Sequence, residues 1–118
     1  MNIQYSKSLW LDIDMNSFNY NVLYVNKIVK FCNLKSLTLV VVNPPFGRTF
    51  LESIPFDCKI MFDSYISSII EKYKNVIYFD YSDDERFKDT DFFNANHLSD
   101  EGSLKFTSIL IDEIKAIN

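Results

Sequence analysis

Apolar residues recur with a helical period early in the chain. From Ser17, the positions Phe18, Val22, Val25, Val29 and Cys32 fall at spacings of four, three, four and three, with Ile28 beside them. They make one face of an amphipathic helix ending near Cys32-Asn33. The run SLTLVVVN follows, short, β-branched and almost continuously apolar, the pattern of a strand buried on both faces in a parallel sheet. It stops at Asn43-Pro44-Pro45, where proline removes the ladder donors. PPFGRTFLESIP then reads as a loop, with Gly47 free to take positive φ. Phe56 to Lys74 is helical again, with Phe62, Ile66, Ile69, Ile70 and Tyr73 as its apolar stripe. NVIYFD is a second short buried strand, and YSDDERFKDTD a polar, acidic connection. The last helix starts at Ser99. Ser99 suits its N-cap, Asp100 and Glu101 suit its first turn, and Leu104, Thr107, Leu110, Ile111, Ile114 and Ile117 are expected to face inward.

The predicted order is helix, strand, helix, strand, helix. Short buried strands alternating with helices imply crossover connections and a parallel sheet covered by helices. The fold expected is α/β, a partial flavodoxin-like three-layer α/β/α arrangement with a short parallel sheet, in a single domain over residues 1–118. Two strands make only half of a doubly wound domain. Residues 1–15 have no clear period, although Trp10, Leu11 and Ile13 suit a short extended or docking segment. Either that segment adds a third strand or the chain pairs with itself.

Composition narrows the functional classes. The chain has 118 residues, of which 47% are hydrophobic and 16% aromatic, enough apolar surface for one packed interior. Its net charge is −4 and its basic residues are scattered, which argues against a nucleic-acid partner. It has 2 glycines, too few for a GxGxxG or GxxxxGK[ST] phosphate cradle. Cys32 and Cys58 stand far apart with no CxxC, so two buried or half-buried thiols are expected, with a single disulfide left open. No apolar run approaches the roughly 20 residues of a membrane span, and the N-terminus lacks a signal-peptide pattern. The expectation for the chain as written is a cytoplasmic protein with no cofactor and no metal.

Ligands of open parallel α/β sheets bind beyond the carboxyl ends of the strands. Three stretches are expected there: NPPFGR after the first strand, DYSDD after the second, and NANHL before the last helix. The third holds His97, the sole histidine. A helix N-terminus nearby favours the neutral imidazole, which can accept a proton. A lone loop histidine is, by itself, more often structural or merely exposed. Asp80, Asp83, Asp84 and Glu85 lack the spacing of a calcium loop and read better as a solvated acidic loop.

The segment DTDFFNANHLSDEGSLKFTSILIDEI resembles the C-terminal block of SGNH (GDSL-type) hydrolases, on His97, Leu98, Gly102, Lys105, Phe106 and Thr107. LTLVVVNPPFGRTF is similar to the strand and proline loop of the subgroup related to D-alanyl transfer proteins. The resemblance spans roughly Ser17 to the end, and its specific part is His-Leu-x-x-x-Gly. It implies acyl-ester chemistry: a serine nucleophile, a histidine base, an aspartate orienting the histidine, and an oxyanion hole that includes a glycine and an asparagine. His97 would be the base, and Asn94 stands where the aspartate is expected. An amide supplies no charge, and if its NH2 faced the ring it would fix the wrong tautomer; in a serine protease triad the Asp-to-Asn exchange cost about 10⁴ in rate.

The nucleophile is the larger gap. Ser6 and Ser8 precede any recognisable element. Ser82 follows a strand but lies among carboxylates, with no glycine to offer backbone donors. Asn43 at a strand end and Arg48 in the proline loop are candidate substrate-binding residues for an acyl-ester or carbohydrate-type substrate, although an Asn before Pro-Pro is commonly a turn device. The expected function is therefore the histidine-bearing part of an SGNH-like hydrolase or O-acyltransferase, inactive alone. The competing expectation is a non-catalytic, SGNH-derived interaction module, dimeric or bound to a partner chain because its open sheet edge and bare helix faces need cover. A response-receiver domain fits less well, since Asp80 alone does not supply the acidic pair, phosphoacceptor and lysine.

Overall fold

The computed structural model describes residues 15–117, so the segment Trp10–Ile13 lies outside the described residues. Helix α1 (Met15–Leu34) leads into strand β1 (Leu39–Asn43) through a turn at Ser36, whose φ is 54°. A short helix α2 (Arg48–Ser53), helix α3 (Phe56–Lys72) and strand β2 (Val76–Asp80) follow. A 3-10 turn (Asp89–Asp91), two very short strands β3 (Phe92–Asn94) and β4 (His97–Leu98), and helix α4 (Asp100–Lys115) complete the chain. It is a mixed α/β fold with a short parallel sheet of two strands.

β1 and β2 pair in parallel, Leu39 opposite Val76 through Asn43 opposite Asp80. Side chains alternate across a strand, and one face of the sheet builds the core. Val29 of α1, Ile66 and Ile69 of α3 and Val76 form its buried centre, with Val25, Leu39, Val41, Tyr65, Tyr73 and Tyr78 packed around it. A bond of 2.8 Å from the Tyr65 hydroxyl to Asn26 Oδ1 joins α3 to α1. Burial of each such Val or Ile contributes about 1.5–3 kcal/mol.

Several expectations need correction. The strands are not buried on both faces: every residue of β1 is only half-buried, because β2 lies beside it in the sheet plane and the core helices α1 and α3 pack on one face. The segment after Pro45 is not all loop but contains α2, and Gly47 has φ −67°, so its missing side chain serves close approach rather than a left-handed turn. On α4, Leu104, Thr107, Ile111 and Ile114 are exposed, Leu104 to 71%. The inward residues are Gly102, Lys105, Phe106, Ile109, Leu110 and Glu113, so of the residues expected inward Leu110 and, just past the helix, Ile117 are the half-buried ones. The helix turns its more polar side inward because an aromatic and ionic cluster waits there.

That cluster centres on Tyr81, just past β2. Its ring meets Phe79 and Phe106 edge-on at 6.2 and 5.2 Å, and Phe106 meets Phe87 at 6.1 Å. The Tyr81 hydroxyl donates to Glu113 Oε2 at 2.6 Å. Burial and the neighbouring Glu113 carboxylate hold this phenol far above its ordinary titration range. Arg86 bridges Asp84 and Glu113, so Asp84 is paired against α4, while Asp80, Asp83 and Glu85 remain exposed as expected of a solvated acidic loop. Tyr81→Phe removes a hydrogen bond to a charged acceptor inside the cluster. We expect it to lower unfolding free energy by about 1.5–3 kcal/mol in urea titration, with the aromatic packing intact.

Candidate functional site

The three stretches expected at the carboxyl ends of the strands do meet. Asn43 Nδ2 donates to Asp80 Oδ1 at 3.2 Å, and the Ser82 backbone N–H donates to the same oxygen at 2.9 Å. The Phe46 N–H reaches the Ser82 carbonyl at 3.3 Å, and the Gly47 N–H reaches the Ala95 carbonyl at 2.9 Å. A Cβ on Gly47 would stand 3.1 Å from that carbonyl oxygen. The proline loop thus lies directly on the turn that carries the histidine.

His97 is not in an irregular loop. β3 and β4 form a small antiparallel hairpin, with Asn94 opposite His97 and Phe92 opposite Leu98. The His97 Nδ1 lies 2.8 Å from Asn94 Oδ1. The same Oδ1 accepts the Asn96 backbone N–H at 3.1 Å. A backbone N–H can only donate, so it fixes which end of the Asn94 amide faces the hairpin. With an acceptor oxygen held against Nδ1, the imidazole carries its proton on Nδ1 and its lone pair on Nε2. This is the tautomer a general base needs, and the opposite of what an amide with its NH2 toward the ring would impose. His97 is solvent-exposed, and among the described residues no serine hydroxyl is hydrogen-bonded to it.

The hairpin is held from below. Ser99 caps α4 through its hydroxyl, which accepts the Gly102 N–H at 3.1 Å, and the Ser99 N–H donates to the Asp91 carbonyl at 2.8 Å. Gly102 is buried against Asp91; an added Cβ would overlap the Asp91 carbonyl oxygen and sit 2.9 Å from its carbon. Asp91 is itself buried, and its Oδ2 accepts from Lys105 Nζ at 2.6 Å and from the Lys88 backbone N–H at 2.8 Å. The Lys105 ammonium, then the Lys88 N–H, hold its carboxyl below the usual aspartate range. The sequence identifies Ser99 as the cap of α4 but does not single out Asp91 or Tyr81. No local signal pointed to Asp91, because Lys105 lies off the apolar stripe that the sequence places on the inner side of the last helix.

Arg48 forms a surface pair with Asp83 at 2.9 Å. It lines two adjoining clefts. One, of about 550 Å³, is walled by Phe46, Leu51, Phe87 and Phe92 with Asp83, Asp84, Glu85, Lys88 and Asp89 at its edges. The other, of about 350 Å³, runs past Asp89, Phe92 and Phe93 to Asn94 and Ala95. His97 lines neither. Asn43 is occupied with Asp80, so of the two residues singled out for substrate contact, Arg48 is the one that borders open space. Among the described residues, no group of three His, Cys, Asp or Glu side chains could hold a metal, and Cys32 and Cys58 are free thiols. No helix of the described residues is long and apolar enough to cross a membrane. Comparison with family models, with curated proteins and with solved structures gives no match.

Proposed function

We propose that the chain is the histidine-bearing part of an SGNH-like acyl-ester hydrolase or O-acyltransferase, built as the C-terminal portion of a flavodoxin-like three-layer domain. The observation that carries this reading is the Asn94–His97 pair, which leaves the Nε2 lone pair free on a hairpin docked against the proline loop at the carboxyl ends of the parallel strands. His97 acts as base toward a serine supplied by another segment or chain, and Asn94 orients it without adding charge. Arg48 and the cleft that runs from it to Asn94, the residue opposite His97, receive the acyl-ester or carbohydrate-type substrate.

The tautomer is tested by nitrogen-15 NMR of the ring, which should show Nδ1 protonated and Nε2 free at pH 8. The chemistry is tested with p-nitrophenyl acetate. The chain should hydrolyse it faster than its His97→Ala variant; equal rates would remove His97 from any hydrolytic role. Asn94→Asp should raise the His97-dependent rate, by far less than the about 10⁴ at stake in a complete triad, since among the described residues no serine is hydrogen-bonded to the ring.

A second reading, a non-catalytic interaction module, is favoured by the apolar side chains left bare on α1 and α4, among them Leu34 at 82% exposed.

A further inference from the structure

Among the described residues two helix faces remain uncovered, and they are complementary. On α1, Tyr20, Leu23, Tyr24, Ile28, Phe31 and Leu34 are exposed along one side, a stripe of about 21 Å at the helical rise. This side is also basic. Lys27 lies over the Tyr24 ring at 4.9 Å, Lys30 and Lys35 are exposed nearby, and no Asp or Glu occurs anywhere between Met15 and Leu51. On α4, Leu104, Ile111 and Ile114 are exposed along about 15 Å. Their charged neighbours Asp100, Glu101 and Asp112 are exposed and acidic, with Lys115 as the single exposed cation on that helix. Lys105 is turned inward to Asp91, so it does not offset them.

We propose that α1 of one copy of this chain docks onto α4 of a second copy. Each face alone would leave large apolar side chains in water. Together they bury an aromatic and aliphatic seam flanked by opposite charges, with the Tyr and Phe side chains that dominate interface energetics at its centre. The geometry also fixes the kind of assembly. α1 packs on the sheet face that carries Leu39, Val41 and Tyr78, whereas α4 reaches Tyr81 and through it Phe79, on the other side. Donor and acceptor faces therefore point in different directions. The contact is heterologous and head-to-tail, and it grows into rings or open chains rather than closing as a two-fold dimer. The inference stands independently of the hydrolase reading.

Light scattering coupled to size-exclusion chromatography tests it. The wild-type chain should show species larger than a dimer that grow with concentration and shrink as salt rises. Leu23→Glu on α1 and Ile111→Lys on α4 are both at exposed positions, and circular dichroism should report unchanged folding. Each variant alone should be monomeric, because one face of every contact is lost. An equimolar mixture should give a capped species of two chains, since the first variant keeps α4 and the second keeps α1. A monomeric wild type would overturn the proposal. So would an Ile111→Lys variant that still self-associates, which would mean that α1 pairs with α1. A mixture that stays monomeric would overturn it too, as would a wild type that is monomeric but binds anionic phosphatidylglycerol vesicles.

Discussion

Gly102→Ala should unfold much of the C-terminal half of the molecule. The new methyl has no room: it overlaps the Asp91 carbonyl oxygen, and the crowding atoms are backbone rather than the end of a flexible side chain. Overpacking of a closed site costs about 1–3 kcal/mol, and more when the neighbours cannot yield. Better helix propensity for alanine returns at most about 1 kcal/mol. The Ser99 N–H to Asp91 carbonyl bond lies in the same seam and is stretched with it. We expect a net loss near 3 kcal/mol or more in chemical denaturation. A lowering below about 1 kcal/mol would show that the α4–Asp91 seam is looser than drawn.

Asp91→Ala attacks the same seam electrostatically. It orphans the Lys88 N–H and leaves the partly exposed Lys105 ammonium without its partner. Hydrogen bonds to a charged group are worth about 1.5–3 kcal/mol each, so roughly 3 kcal/mol should be lost in all once solvent screening of Lys105 is allowed for. The wild-type pH dependence has a definite sign. The Asp91 carboxyl titrates lower in the folded chain than in the unfolded one. Its contribution is therefore fully present above the unfolded value of about 3.9, and is lost as pH falls through the lower folded value. Comparing urea midpoints of wild type and Asp91→Ala at pH 7 and at strongly acid pH should show the gap close in acid. A gap that stays constant would mean that Asp91 is not ionised in the folded state.

What could be read from the sequence follows the physics of periodicity. The stripe Phe18, Val22, Val25, Val29, Cys32 does supply the inner face of α1, although Ile28 beside it is exposed, and Ser99 does cap α4, because both signals are local. The inward side of α4 was misread for a non-local reason. Its most apolar stripe has no sheet to cover, while Lys105 and Glu113 are drawn inward by Asp91 and Tyr81, which come from distant positions in the chain. In the acidic connection Asp80, Asp83 and Glu85 are exposed as the sequence suggests, and what it does not show is the distant reach of Arg86 to Glu113. At the site, His97 and Asn94 were legible as a pair three residues apart. The direction in which the amide faces was not, because it depends on the Asn96 N–H and hence on the hairpin.

The orientation of Asn94 bears on the history open to this chain. Asparagine and aspartate codons differ by a single nucleotide, and the Asn94 oxygen already occupies the place a carboxylate oxygen would take beside Nδ1 and the Asn96 N–H. Conversion in either direction requires no rearrangement of the backbone or of the ring. The charge on the orienting group can therefore be lost and regained by point mutation while the hairpin stays as it is.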